Sequence, residues 1–378
     1  MKHLINLALI LFFSTTLTAQ KSKTYLFTGT YTDGKPDNGI YIYQFNNKTG
    51  DLTLSSTSQN LINPSYLNLS PDGKYLYACT DTKLPKHGSV TAFKIDSING
   101  SVSFINKQSS EGENPVYVAV HKSNKFVVTG NYSGGNVSVF STNTDGSLNA
   151  AVQTIQFSDS SINKERQEKS HIHSTIFSPK NDYLYLPDLG ADKIRTFKFD
   201  VESQKPLIEM DNFIVHSTLR SGPRHLTFHP TKNFAYCIEE LSGMVSAYTF
   251  TNGKLSPIQR IFSNSNKREI YSSADIHISP DGRFLYTTNR DENTISTFSL
   301  TKNGKLKLLF HTPTFGEVPR NFTLDPSGNF LLVANQKTGN IIVFKRNIKD
   351  GSLSKVGKTI TVPNPSCLQM RVYKNLIE

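Results

Sequence analysis

In the decapeptide SGPRHLTFHP, residues 221–230, a turn-like Ser-Gly-Pro runs into alternating apolar residues, and Arg224 and His225 stand where the strand begins. Arginine offers paired donors to a carboxylate or phosphate, while histidine and glutamate exchange protons near neutral pH. Comparable residues recur along the chain at His173, Glu239, Glu240, Arg290 and Arg320. Motifs for other chemistries are missing. There is no G-x-S-x-G in a strand-to-helix setting, no H-E-x-x-H and no paired C-x-x-C. The pair His171 and His173 reads as a polar strand edge more readily than as zinc ligands, so no metal site is assigned. The glycines of NYSGG (131–135) lack phosphate-cradling spacing before a helix and read as a turn.

What could bring these residues together is a repeat. YLNLSPDGKYLYACTD (66–81) is echoed by YVAVHKSNKFVVTGNY (117–132), STIFSPKNDYLYLPDL (174–189), HLTFHPTKNFAYCIEE (225–240), DIHISPDGRFLYTTNR (275–290) and NFTLDPSGNFLLVANQ (321–336). Each copy is an alternating strand, a Pro/Asp/Gly/Asn turn and an aromatic, β-branched strand, which together make a hairpin. A second strand pair follows, joined through Asp-Gly or Asn-Gly. Four-stranded units of this length without helical periodicity indicate a β-propeller. The partial copy NPSCLQMRV (364–372) stops after one strand, and YLFTGTY (25–31) has the form of a second strand lacking its first. The N-terminal strands are therefore expected to complete the last blade and close a ring of seven.

The residues just before each copy are Ser65, Val116, His173, Arg224, Ala274, Arg320 and Ser366, separated by 51, 57, 51, 50, 46 and 46 residues. In a propeller this position faces one rim of the central channel. The hairpins' other ends close with Thr80-Asp81, Asn131-Tyr132, Asp188-Leu189, Glu239-Glu240, Asn289-Arg290 and Asn335-Gln336, and are expected at the same mouth. Asn or Asp after a strand also commonly satisfies a turn. Charged residues avoid enclosed space unless paired or functional, which gives the set more weight than any member. The longest step contains SDSSINKERQEKS (158–170), read as a loop over one face.

Composition narrows the rest. Residues 1–19 carry Lys2, an apolar stretch from Leu4 to Phe13 and a small-residue end at Thr18-Ala19, the pattern of a secretory leader. Residues 20–378 are read as one exported domain, periplasmic or secreted, without membrane insertion once the leader is removed. Three cysteines, Cys79, Cys237 and Cys367, each lie in an apolar strand, so they read as core residues, not a disulfide framework. The formal charge of +11 comes from 41 Lys and Arg against 30 Asp and Glu. The basic residues are scattered among acids, so the surplus reads as a solvated surface and no nucleic-acid partner is assigned.

The motifs GTYT, NPSYLNLSPDGKYLYA, NYSGGNVSVF, HIHSTIFSP, DLGADKI, GPRHLTFHP, EEL, SPDGRFLYTTNR, PRNF and VANQ, taken in order, resemble the lactonase family of seven-bladed propellers. That family includes a bacterial 6-phosphogluconolactonase and a fungal 3-carboxymuconate lactonizing enzyme. Two departures are Ser170 before His171, where the family commonly has Pro, and Tyr117, where a His is usual. The resemblance implies a cofactor-free, metal-free site of His173, Arg224, Glu240 and Arg290. It implies hydrolysis of a small anionic lactone, with either Glu240 or His173 as base and the arginines holding the substrate anion and the developing oxyanion. His225 and Arg320 would extend the anion pocket, and Asn131, Tyr132, Asp188 and Asn335 would contact sugar hydroxyls. The implied substrate is 6-phosphogluconolactone, acted on by a monomer; export leaves open another aldonolactone or cyclic ester. A cycloisomerase running the lactone-forming direction and a non-catalytic protein- or glycan-binding propeller are the alternative readings.

Overall fold

The computed structural model describes residues 22–374; the leader read over residues 1–19 lies outside the described residues. Seven antiparallel sheets form a ring, and the single helix among the described residues is a 3-10 turn at Asp211–Phe213. Blade one runs from Tyr66–Leu69 to Ser101–Glu113, and blade two from Pro115–Val120 to Leu148–Gln156. Blade three starts at Ile176–Phe177 and carries a fifth short strand, Val215–His216. Blades four, five and six begin at Pro223–Phe228, Ser273–Ile278 and Pro319–Leu324. Blade seven takes its innermost strand, Pro365–Tyr373, from one end of the chain and its other three, starting with Lys23–Thr30, from the other. The seam is antiparallel from Lys23 opposite Tyr373 to Gly29 opposite Cys367.

Packing between neighbouring sheets supplies the core. Tyr236, Ile238, Val245 and Ala247 of blade four meet Ile276, Leu285, Phe298 and Leu306 of blade five. The seam is filled in the same way, with Leu26 and Leu368 among Tyr43, Phe330, Leu332 and Val343. All three cysteines are free and fully buried, as the sequence implies.

The repeated tyrosine and the Asp-Gly or Asn-Gly turn form a latch between blades. Tyr77, Tyr185, Tyr236 and Tyr286 donate to the carbonyls of Gly146, Gly253, Gly304 and Gly351 in the next blade, at 3.0, 2.6, 2.9 and 2.9 Å. Gly146 has φ +82°, and a Cβ there would stand 2.2 Å from the Tyr75 ring. The turn therefore needs glycine both for its backbone angle and for close approach.

If the seam is packed as tightly as an unbroken blade, Leu26→Ala and Leu285→Ala should destabilise alike, each by about 2–5 kcal/mol. Urea unfolding measures both. A cost under about 1 kcal/mol for Leu26→Ala would mean a loose closure.

Candidate active site

Six of the seven positions aligned from the repeat, Ser65, Val116, His173, Arg224, Arg320 and Ser366, line one chamber at the channel mouth. The seventh, Ala274, contributes its carbonyl, which accepts from Arg224 Nη1 at 2.6 Å. The chamber has ≈10 Å³ open to the centre of a water-sized molecule, room for about one. The Ser-Gly-Pro turn that delivers Arg224 is pinned by Asp192, which accepts from Ser221 Oγ at 3.1 Å and Gly222 N at 2.8 Å.

Glu240 is the charge centre. Its Oε2 takes Arg224 Nε at 2.9 Å and lies 2.9 Å from Arg290 Nη2, while Oε1 takes Arg166 Nη2 at 2.6 Å. Burial alone would raise the Glu240 pKa, but Arg290, Arg224 and Arg166 outweigh it and hold the carboxyl far below its usual range. Burial, with help from Arg290, pulls Arg224 down to about 9, still protonated at neutral pH. His173 Nε2 stands 4.0 Å from Glu240 Oε2, and its buried Nδ1 has no protein partner. Burial first, then Arg224, His225 and Arg320, push the His173 pKa well below the usual 6.5. His173 is therefore a neutral imidazole at pH 7.

A second layer lies one residue further along each inner strand. His225 Nε2 faces Arg224 Nη1 at 3.2 Å and Nδ1 faces Asp275 Oδ1 at 2.7 Å. Arg224 can only donate, so Nε2 is the acceptor and Nδ1 carries the proton. Burial and Arg224 lower the His225 pKa to about 4. Asp275 Oδ2 also accepts from His277 Nε2 at 3.0 Å and Phe322 N at 3.1 Å. Arg320 Nη2 donates to Tyr31 Oη at 3.1 Å, and Arg166 Nη2 approaches Tyr132 Oη at 3.3 Å.

The structure does not bring Asn131, Asp188 and Asn335 to the chamber. All three are fully buried at the ends of second strands. Asn131 Nδ2 donates to Ser110 O and Asn335 Nδ2 to Thr314 O, tying down the segments that enter their blades. Asp188 pairs with Arg195 at 2.8 Å and accepts from His171 N. Glu239, in the equivalent place, accepts from Ser242, Ser246 and Arg260. The reason is strand alternation: of two consecutive residues only one faces the mouth. That one is Tyr132, Glu240 and Arg290, each following its buried neighbour.

Arg166, Asp275, Asn321 and Tyr31 are additions that the repeat alone did not single out. Arg166 lies in the 158–170 connection, whose extra length was the available signal. Asp275 and Asn321 follow rim positions just as His225 follows Arg224, so the same alignment read one column further finds them. Among the described residues, no group of three or more His, Cys, Asp or Glu side chains could hold a metal ion.

A family model described as "Lactonase, 7-bladed beta-propeller" matches residues 25–370. A protein of Formosa agariphila named 6-phosphogluconolactonase is 44% identical over 353 residues, covering 93% of this chain and 100% of that one. One of the same name from Bacillus subtilis is 34% identical over 352 residues, covering 91% and 97%. The periplasmic gluconolactonase of Pseudomonas aeruginosa, a solved structure, superposes with a TM-score of 0.87 at 32% identity, covering 93% of this chain and 99% of that one.

Glu240→Gln removes the counter-charge of three guanidiniums and should cost about 3–5 kcal/mol at pH 7, as breaking a buried pair does. A depressed carboxyl pKa contributes stability that is present above the usual 4.5 and is lost as pH falls below it. The variant should therefore lose less stability than wild type between pH 5 and about 3. Denaturant melts at several pH values test this; parallel curves would show that Glu240 carries no such linkage.

Proposed function

Because the chain belongs to the lactonase family of seven-bladed β-propellers and is a lactone-hydrolysing carboxylic ester hydrolase of that kind, we propose that it opens an anionic sugar lactone, 6-phosphogluconolactone first among candidates, in the chamber around His173. The observation that carries this is the pairing of one carboxylate, Glu240, with Arg166, Arg224 and Arg290, beside a neutral histidine at a one-water space. Arg320 lines the same chamber. Four guanidiniums outnumber the carboxylates of Glu240 and Asp275 and leave the mouth net positive, which favours an anionic ligand.

His173 acts as the base. Both oxygens of Glu240 are engaged by guanidiniums, which makes it the organiser of the arginines and a poor proton acceptor. His173 takes a proton from water as the water oxygen bonds to the lactone carbonyl carbon. The carbonyl oxygen becomes an oxyanion, which Arg224 and Arg290 stabilise. On collapse the bond to the ring oxygen breaks, and that oxygen takes the proton back from His173. The product is an open-chain hydroxy acid, which ionises. Arg224 is held for this by Glu240, His225 and the Ala274 carbonyl, and its Nη2 makes no hydrogen bond within the described residues.

The leader pattern supports export, and among the described residues no helix is long and apolar enough to cross a membrane. The periplasmic relative from Pseudomonas aeruginosa supports the same placement.

Arg224→Ala should lower lactone hydrolysis by roughly 100-fold or more, the scale of losing an oxyanion donor. Unchanged hydrolysis in a pH-stat assay across a lactone panel would reject the assignment. The pH profile offers a second test. With the His173 pKa depressed, the acid limb of kcat/KM should lie below 6.5 and rates should be level just above it, after subtracting spontaneous hydrolysis. An acid limb above 6.5 would point to another base.

A further inference from the structure

Of the three guanidiniums on Glu240, those of Arg224 and Arg290 are sealed, with side chains 2% and 14% exposed, whereas that of Arg166 is 41% exposed. Arg166 is also the one that no blade supplies. It comes from the 158–170 connection, which blade three anchors on both sides of it. Ser161 Oγ donates to Asp192 Oδ2 at 2.6 Å, and Gln167 Nε2 donates to Asp192 Oδ1 at 2.8 Å and Leu189 O at 2.9 Å. The backbone is held and the side chain is what can move.

Arg166 lines a cleft of ≈620 Å³, and through Glu240, 4.0 Å from His173 Nε2, it is linked to the chamber with room for one water. A sugar ring does not fit the chamber as it stands, whereas the cleft that Arg166 lines has the room. The cleft's charged walls are Lys164, Arg166 and Arg220 against Glu165 and Glu269. Asp192 also fixes the second arginine's backbone, accepting from Arg220 N at 2.7 Å. Three cations against two carboxylates leave the cleft net positive, and an entering anion can pair with Arg166 in place of Glu240.

We propose that Arg166 recognises an anionic group of the substrate remote from the lactone carbonyl, a phosphate or carboxylate, which displaces Glu240 Oε1 from its guanidinium. Glu240 keeps Arg224 and Arg290 on Oε2, and its freed Oε1 accepts a sugar hydroxyl. This builds on the lactone-hydrolase reading, but it concerns a different atom set from the water, the base and the oxyanion donors.

The test is calorimetric binding of three open-chain acids, 6-phosphogluconate, glucarate and gluconate, to the wild-type protein, Arg166→Ala and Arg166→Lys. The first two acids carry a remote phosphate and a remote carboxylate; gluconate carries neither. Wild type should bind at least one of the first two about 10-fold or more tighter than gluconate, and which one identifies the anion. Arg166→Ala, shown to be folded by a cooperative melt, should bind all three within about twofold of each other, and Arg166→Lys should keep part of the preference. Equal binding by wild type, or a preference that survives Arg166→Ala, overturns the proposal. Lactone hydrolysis is read separately on the same samples. Selective binding by a protein that hydrolyses no lactone would sink the functional reading and leave this one standing.

Discussion

The pairing of Lys23–Thr30 with Pro365–Tyr373 is the constraint on which the other arrangements rest. It joins chain ends more than three hundred residues apart, and it turns a row of sheets into a ring whose inner strands share one axis. Without closure, Ser366 and Tyr31 would not reach the chamber that His173 and Arg224 also line. The seam is also pinned from within. Ser366 Oγ donates to Ser65 O at 2.8 Å, and the Leu67 amide meets Cys367 Sγ at 3.3 Å, so blade seven is bonded to blade one at the axis. The same column of the repeat does this work elsewhere: Ser174 donates to Arg224 O, His225 to Asp275, and Asn321 accepts from Leu368 N. In blades three to six the residue in this column bonds to the neighbouring blade, while the residue before it faces the mouth.

This division of labour explains why a buried carboxylate with three arginines is tolerable. Desolvating Glu240 and its partners is costly, and a buried pair seldom repays that cost outright. A chain selected only for stability would fill the space with apolar side chains. The contrast with Glu239 is informative. Its oxygens are taken by Ser242, Ser246 and Arg260 inside one blade, an arrangement that secures strand ends. Glu240, one residue later, collects guanidiniums from blade four, blade five and the 158–170 connection. No single blade is secured by that convergence, which gathers charge from three parts of the chain beside His173.

Much of this was legible in the sequence, because a propeller writes its geometry as a period. The spacing of Ser65, Val116, His173, Arg224, Ala274, Arg320 and Ser366 located the rim, and the partial copies at the two ends located the seam. The second-strand ends were read less well. Asn131, Asp188 and Asn335 looked equivalent to Tyr132, Glu240 and Arg290 because both residues of each pair are polar or lie beside a polar one. Alternation separates them, and it is decided by the strand's last paired residue, which a sequence locates only to within a position or two. Arg166 was out of reach for a different reason. Its connection lies outside the repeat, so no alignment column assigns it a place, and its neighbours Lys164, Glu165 and Glu168 give it the look of a solvated surface.

The channel's far end bears on how the site is reached. Tyr66 stacks on Tyr117 at 4.1 Å, and His225 sets its edge against Tyr117 at 5.3 Å and Tyr66 at 6.2 Å. Tyr66 and His225 line the chamber, whereas Tyr117 and His225 line a separate pocket of ≈380 Å³ below, shared with Asp275 and His277. The aromatic layer therefore lies across the axis between the two spaces. Tyr117, where the resemblance leads one to expect a histidine, contributes a ring to that layer. Passage between the two spaces is blocked by the stacked tyrosines and by the His225–Asp275 bond, which fixes the ring that faces Arg224. On the side of Arg166 the contacts to be exchanged are its pair with Glu240 and its approach to Tyr132 Oη, both made by a partly exposed guanidinium. The lower side is therefore closed by packing and by the bonds that hold Arg224, whereas the upper side carries the partly exposed guanidinium of the 158–170 connection.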